Sequence, residues 1–294
     1  MIYIYTVKVS FPDTFYFSLQ QAKKRVSLLV VIAFGLGLKQ GKYNVIFKGS
    51  RMKSSMEQLK RRGYITSEDV ESHMHHTKSE WLEMIYSKES YQRTIAVKLL
   101  SEKSDIDDEL IRLFLQMLAQ EKKLYTKIEL CDALAKGGVP AAELMVHYLG
   151  QIGNNQHYSL PTKTFNKNSY PLPRDIIART LAHMDPNVLP TLLNVLQTNR
   201  IPAIREVVDA IGFICFYNNL HTKSQISDAL ILCLKNYAHD DAIRWKLVRS
   251  FESFDDSDVI HTLVNIEQSD SEQIIRCEAR RSLKIISDRI NFFD

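Results

Sequence analysis

From residue 79 onward the apolar positions of the chain fall into one recurring register. A basic residue stands at 93, 127, 174, 205, 244 and 276. Three places further on come Ala96, Leu130, Ile177, Val208, Leu247 and Ala279, and seven places on come Leu100, Leu134, Leu181, Gly212, Phe251 and Leu283. Offsets of three and seven share one face of a 3.6-residue period, so each set marks the buried stripe of a helix. The basic residues are 34, 47, 31, 39 and 32 residues apart. That leaves room for a second helix in every interval, and the intervals carry stripes of their own, most clearly Leu110, Leu113, Phe114, Met117 and Leu118. The pattern predicts six helix pairs: 79–87 with 91–103, 108–120 with 124–136, 139–150 with 174–184, 187–197 with 201–217, 223–236 with 241–253, and 256–268 with 272–288. Gly137-Gly138, Asp185-Pro186 and Asp255-Asp256 punctuate them. A lone helix pair cannot bury its stripe, whereas stacked neighbours can, so the expected fold is all-α: an α-solenoid of about six pairs, an α-α superhelix.

Two shorter helices precede the array. Ser54 to Arg62 carries Met56 and Leu59 and ends at Gly63, a suitable left-handed C-cap. Thr66 then caps a helix with Ser67, Glu68 and Asp69 in its first turn, where carboxylates meet the positive end of the helix dipole. Residues 52–78 are therefore expected to close the N-terminal end of the 79–294 array. Within the array, 151–173 is rich in proline and asparagine and predicts a 23-residue loop that interrupts the third pair. Loops of that length in compact arrays are commonly functional or disordered, and this one is expected to be exposed and to order against a partner.

The run Asp185-Pro186, Leu189-Pro190, Leu192-Leu193, Leu196, Arg205, Val208 resembles a HEAT repeat of the short bacterial kind found in phycobilisome-lyase-like proteins, an armadillo-like fold. Asp240-Asp241-Ala242-Ile243-Arg244 and Asp270 with Arg276 are similar to the family's Asp-to-Arg pair between the two helices of a repeat. The resemblance covers roughly residues 79–288, about two thirds of the chain. Lys127 stands where arginine is usual, Arg93 has no matching aspartate, and Arg174 follows the long insert. The resemblance implies a protein-binding scaffold, hence a surface and not a reaction.

Charge is unevenly spread. Of 38 Lys/Arg and 34 Asp/Glu, residues 1–51 hold eight basic and one acidic, a local charge of +7; this leaves 30 basic and 33 acidic in 52–294, or −3. An acidic array is a poor general match for a phosphate backbone. The 1–51 segment also holds Lys23-Lys24-Arg25 ahead of the apolar run Val26 to Leu38. Three readings stand: a misassigned start, with Met52 the first residue; a signal or membrane anchor, although the run is shorter than a comfortable span; and a structured cap. The four cysteines, Cys131, Cys215, Cys233 and Cys277, are scattered without a Cys-x-x-Cys. They read as free thiols in a reducing, cytoplasmic setting, with no zinc site.

Candidate chemistry is sparse. His73 and His76 have the spacing to share a helix face with Glu80, but no second pair completes a metal shell and a solvated helix end is the simpler reading. No nucleophile–base arrangement and no phosphate-cradling glycine loop can be picked out by spacing, so no catalytic residue and no cofactor is assigned. Five places after each register residue stand Lys98, Asp132, Arg179, Ala210, Arg249 and Arg281, a partly basic ladder on the inner helices. Intramolecular pairing, Arg249 with Glu252 or Asp209 and Arg281 with Glu278, competes with a binding role for it. Trp245 beside the ladder, and Tyr158, Phe165 and Tyr170 in the loop, complete the candidate binding set with Lys98, Arg179, Arg249 and Arg281. The leading expectation is a non-catalytic HEAT-type scaffold that holds a protein or peptide partner on its concave face. HEAT-like DNA glycosylases, with a basic face for duplex DNA, are the enzymatic alternative. Lyase-like handling of a bilin chromophore follows from the repeat resemblance alone.

Overall fold

The computed structural model describes residues 54–293, with side chains through Ile290, and the readings offered for 1–51 lie outside it. Leu59 onward gathers into one compact unit; of the unit before it only 54–58 are described. The described residues form fourteen α-helices and no strand. They are α1 Met56–Lys60, α2 Ser67–Glu71, α3 Lys78–Met84, α4 Ser90–Lys103, α5 Asp108–Gln120, α6 Leu124–Lys136, α7 Gly138–Met145, α8 Ile176–Ala182, α9 Leu189–Leu196, α10 Ile201–Tyr217, α11 Lys223–Asn236, α12 Asp241–Ser250, α13 Ser257–Ser269 and α14 Gln273–Phe293. Short 3-10 turns follow α7 and α12 and precede α9.

Local chemistry sets where these helices begin. Asp107, Asp175, Asp240 and Asp256 each accept the backbone N–H three residues on, at 2.8–3.1 Å. Thr66 and Thr77 form reciprocal capping boxes with Asp69 and Glu80. A cap of this kind is worth about 1 kcal/mol and fixes the first residue of the helix. Gly63 closes the first helix region at φ +89°, and a Cβ there would lie 2.4 Å from Thr126 Oγ1. The Asp175 cap also shortens α8, which starts at Ile176, not at the predicted 174; Arg174 stands outside the helix.

Packing follows chain order in two rows. The second helices of the pairs contact one another in sequence, α4 with α6, α6 with α8, α8 with α10, α10 with α12 and α12 with α14. The first helices do the same from α5 through α7, α9 and α11 to α13. Within pairs, α3 packs on α4, α5 on α6, α9 on α10 and α13 on α14. The register residues fill the seam: Leu100, Leu134, Leu181 and Phe251 have no exposure, nor do Leu130, Ile177, Val208 and Leu247.

Guanidinium groups stitch the second-helix row. Arg93 of α4 pairs with Glu121 just before α6 at 2.9 Å, Arg205 of α10 with Asp240 before α12 at 2.6 Å, and Arg244 of α12 with Asp270 before α14 at 2.8 Å. Arg93 thus has an acidic partner after all, a glutamate beyond its own pair. In each case the acid stands just before the next second helix, and Asp240 is also its N-cap. Arg93, Arg244 and Arg276 also donate to the carbonyl six residues back, of Ser87, Ala238 and Asp270, tying the helix to its incoming chain. Arg179 makes the corresponding bond to Pro173 O at 2.8 Å, so in the third pair it takes the place that the sequence register gave to Arg174.

Leu181→Ala and Phe251→Ala are each expected to lower stability by about 2–5 kcal/mol in urea unfolding, the usual cost of emptying a well-packed core site. Changes below about 1 kcal/mol at both sites would show that the seam lies elsewhere.

Candidate functional site

The face of the second-helix row divides into an open half and a covered half. On α4, α6 and α8 the side chains of Lys98, Glu102, Glu129, Asp132, Lys136 and Arg179 are exposed or half-buried. Lys98 sits 2.9 Å from Glu102 and 3.6 Å from Glu129, and Lys136 is 3.9 Å from Glu102. The set is mixed in sign. Burial raises the pKa of Asp132 and of Glu129 despite the neighbouring lysines.

On α10, α12 and α14 the same face carries charges that are withdrawn from water. Lys246 has no exposure, and its Nζ is ion-paired with Glu206 Oε1 at 2.9 Å and with Asp209 Oδ2 at 2.9 Å. Arg249, on α12, reaches Glu278 of α14 at 3.6 Å. Arg281 bonds Glu278 Oε1 at 2.8 Å and also the buried carboxylate of Glu252. The Trp245 indole N–H donates to Glu278 Oε2 at 3.2 Å, and its ring lies 3.9 Å from the Arg249 guanidinium. The sequence pointed to Arg281 with Glu278, as found. Arg249 pairs with Glu278 instead of Glu252 or Asp209.

The cover is the 151–173 segment. It is a loop without regular secondary structure and fourteen of its 23 residues are exposed, as expected, but it is not free of the fold: it is fastened at several points. Ile152 joins the core, and Gln156, buried, donates to Asp175 Oδ2 at 2.8 Å. His157 stands edge-on to Trp245 with centroids 5.1 Å apart and meets Arg174 at 2.8 Å. Phe165 lies 5.6 Å from the Arg249 guanidinium and 5.0 Å from that of Arg281. Arg281 donates to Lys167 O at 2.9 Å and Tyr217 to Tyr170 O at 3.2 Å. Tyr170 is 3% exposed, against Phe213 and Phe216. Of the sequence candidates, Trp245, Arg249, Arg281, Phe165 and Tyr170 thus come together as a packed assembly, not a free surface. Lys98 and Arg179 remain on the open half. Tyr158 is 58% exposed, and its hydroxyl donates to Gln156 Oε1 at 3.3 Å.

Sequence reasoning missed the residue that seats Tyr170. Gly212 takes the seven-place position that is Leu or Phe in the other five pairs. A Cβ there would lie 2.1 Å from Tyr170 Oη and 2.9 Å from Ser250 Cβ. The exceptional glycine was the available signal. It marks a vacancy in the seam that a distant side chain fills. Tyr170 Oη, Glu206 Oε2, Asp209 Oδ1 and Glu252 Oε1 are all buried without a hydrogen bond.

Burial governs the titration of this assembly. It pushes Glu252 up to about 8 against the pull of Arg281, and Glu206 up to about 7 against that of Lys246. Burial, with Arg174 alongside, holds His157 down to about 4. Elsewhere, His73 and His76 stack edge-on at 5.1 Å and Glu80 is engaged in its cap. No three His, Cys, Asp or Glu side chains among the described residues are placed to hold a metal ion. The four cysteines are free thiols, and burial raises Cys131 and Cys233 to about 11 and Cys215 to about 12. Among the described residues no helix is long and apolar enough to cross a membrane.

No family model matches the chain, and no curated protein matches it. Two crystal structures of engineered proteins from a structural genomics consortium are similar to it over 72% of its length. One is 16% identical with a TM-score of 0.35 and 99% of its own chain covered. The other is 15% identical with a TM-score of 0.33 and 96% covered.

Between pH 4.5, the ordinary glutamate value, and about 8, the folded chain keeps on Glu252 a proton that the unfolded chain has released. Stability therefore falls as pH rises through that window. Glu252→Gln is expected to flatten this fall, read as melting temperature between pH 5 and pH 9; unchanged profiles would show that Glu252 ionises normally when folded. Tyr170→Phe removes a hydroxyl that has no partner and is expected to stay within about 1 kcal/mol of the parent. Tyr170→Ala empties the Gly212 site and is expected to cost about 3–5 kcal/mol. Equal effects of the two in chemical denaturation would show that the hydroxyl, and not the ring, holds the segment.

Proposed function

We propose that the chain is an α-solenoid of HEAT-like pairs that acts as a non-catalytic, cytoplasmic scaffold, holding a protein or peptide partner along the face of the second helices. One observation carries this reading: that face already holds an extended polypeptide, the 156–170 stretch, through aromatic rings and bonds to main-chain carbonyls. A surface able to fasten irregular chain in this way is suited to another such chain. The open half offers Lys98, Asp132, Lys136 and Arg179 as a mixed-charge continuation, which fits a polypeptide with both signs of charge. The recurrent guanidinium-to-cap bonds and the sequential contacts of the two rows support the solenoid part of the proposal.

Duplex-DNA binding of the glycosylase kind is supported less well. Three of the four ladder cations are engaged by carboxylates, Lys98 by Glu102, Arg249 by Glu278 and Arg281 by Glu252 and Glu278. Nucleic-acid affinity depends on cations free to displace counterions from phosphate. No arrangement of the described residues favours the bilin reading.

A photo-crosslinking amino acid at Asp132, on the open half, is expected to capture a polypeptide in the native cells, while the same probe at the exposed Leu232 of the first-helix row captures none. Purified full-length chain is expected to leave duplex DNA unshifted at low salt. Equal capture from both positions, or a salt-sensitive shift of duplex DNA, would overturn the scaffold reading.

A further inference from the structure

The contacts between the 157–170 stretch and the helices beneath it are ones that any chain of similar chemistry would make. Resting on the scaffold reading above, we propose that the face of α10, α12 and α14 is a groove for an extended partner peptide bearing two aromatic residues five positions apart, and that the chain's own Phe165 and Tyr170 occupy it in competition with that partner.

Two aromatic sites define the groove. The first is the vacancy at Gly212, shaped closely enough that one added methyl would come within 2.1 Å of Tyr170 Oη. The second is the slot between Arg249 and Arg281, whose guanidinium groups lie 5.6 and 5.0 Å from the Phe165 ring centre. Cation–π contacts of this kind read a ring and little else. The helices also hold two main-chain carbonyls, Lys167 O through Arg281 at 2.9 Å and Tyr170 O through Tyr217 at 3.2 Å. Asn166, Lys167, Asn168 and Ser169 are exposed, so the residues between the rings are not selected.

The segment is also an imperfect occupant. Tyr170 leaves its own hydroxyl without a partner, and Asp209 Oδ1 remains without a donor. An incoming chain that supplies donors there gains bonds that the segment forgoes. Nor is the segment's length required to join its helices, since two to eight residues normally link helix neighbours, so its residence on the face serves something other than connection. Because it is tethered, it presents its rings at an effective concentration on the order of millimolar, which keeps weaker free peptides out.

The test uses a fluorescein-labelled peptide of residues 154–173 and fluorescence polarisation against the full chain. Phe165→Ala with Tyr170→Ala weakens the resident segment and frees the groove, so the variant is expected to bind the peptide about tenfold or more tightly than the parent does. A peptide with both rings replaced by alanine is expected not to bind. Adding Gly212→Ala to the variant fills the tyrosine site with a residue that favours helix, and is expected to abolish binding. A variant that keeps its helical circular dichroism yet binds the peptide no better than the parent overturns the proposal. If the double variant does not fold, Phe165→Ala alone gives the same comparison with a smaller gain. A dimer of the parent chain that the peptide does not dissociate would assign the groove to a second copy, and so overturn it too. Crosslinking from Asp132 does not involve this groove, so either result can fail without the other.

Discussion

The C-terminal half of the molecule is governed by what it costs to keep charge away from water. An ammonium with no exposure, flanked by two carboxylates, is tolerable only if its partners are fixed and nothing polar nearby is left to hydrate. The helices alone do not meet that condition. α10, α12 with the 3-10 turn that follows it, and α14 bring Glu206, Asp209, Lys246, Arg249, Glu252, Glu278 and Arg281 to one face, and a segment inserted between α7 and α8 lies over it. Aromatic rings suit this duty, since they exclude water while offering their π-faces to guanidinium groups. The raised pKa of Glu252 and the lowered one of His157 are two expressions of the same exclusion.

The remainder of the fold rests on a simpler rule. Three of the second helices, α4, α10 and α12, send an arginine to an acidic residue just before the next second helix, and Arg93 and Arg244 of these also hold the chain that enters their own helix. Burial alone pushes Asp240 upward, but Arg205 and the amides of the α12 cap hold it below the usual carboxylate range. One side chain thereby sets both the start of a helix and its distance from its neighbour. At Asp240 the cap and the packing contact are made by the same carboxylate.

How far the sequence discloses this structure depends on the range of the interactions involved. Helices 108–120, 124–136, 201–217 and 223–236 match their predicted limits to the residue, because their stripes and their caps or breaks are local. α8 is two residues shorter at each end than the apolar pattern predicts, its start being set by Pro173 and the Asp175 cap. The assembly was legible only in part: Lys98, Arg179 and Tyr158 fall outside it, and His157, Lys246 and Glu206 belong to it without having been candidates. Trp245, Arg249, Arg281, Phe165 and Tyr170 were all singled out, yet aromatic residues among asparagines read alike whether docked or free. Docking depends on Gly212, forty-two residues beyond Tyr170, and on carboxylates whose partners lie on other helices.

The hydrogen bond from Arg281 to Lys167 O joins residues 114 positions apart, from the insert of the third pair to the last helix. Rows of helices that touch only their sequential neighbours unzip from the end, each pair melting nearly on its own. A strap from the third pair to the sixth removes that freedom. Opening the last pair then means releasing the strap as well, so the terminus that would otherwise fray first is tied to the middle of the chain.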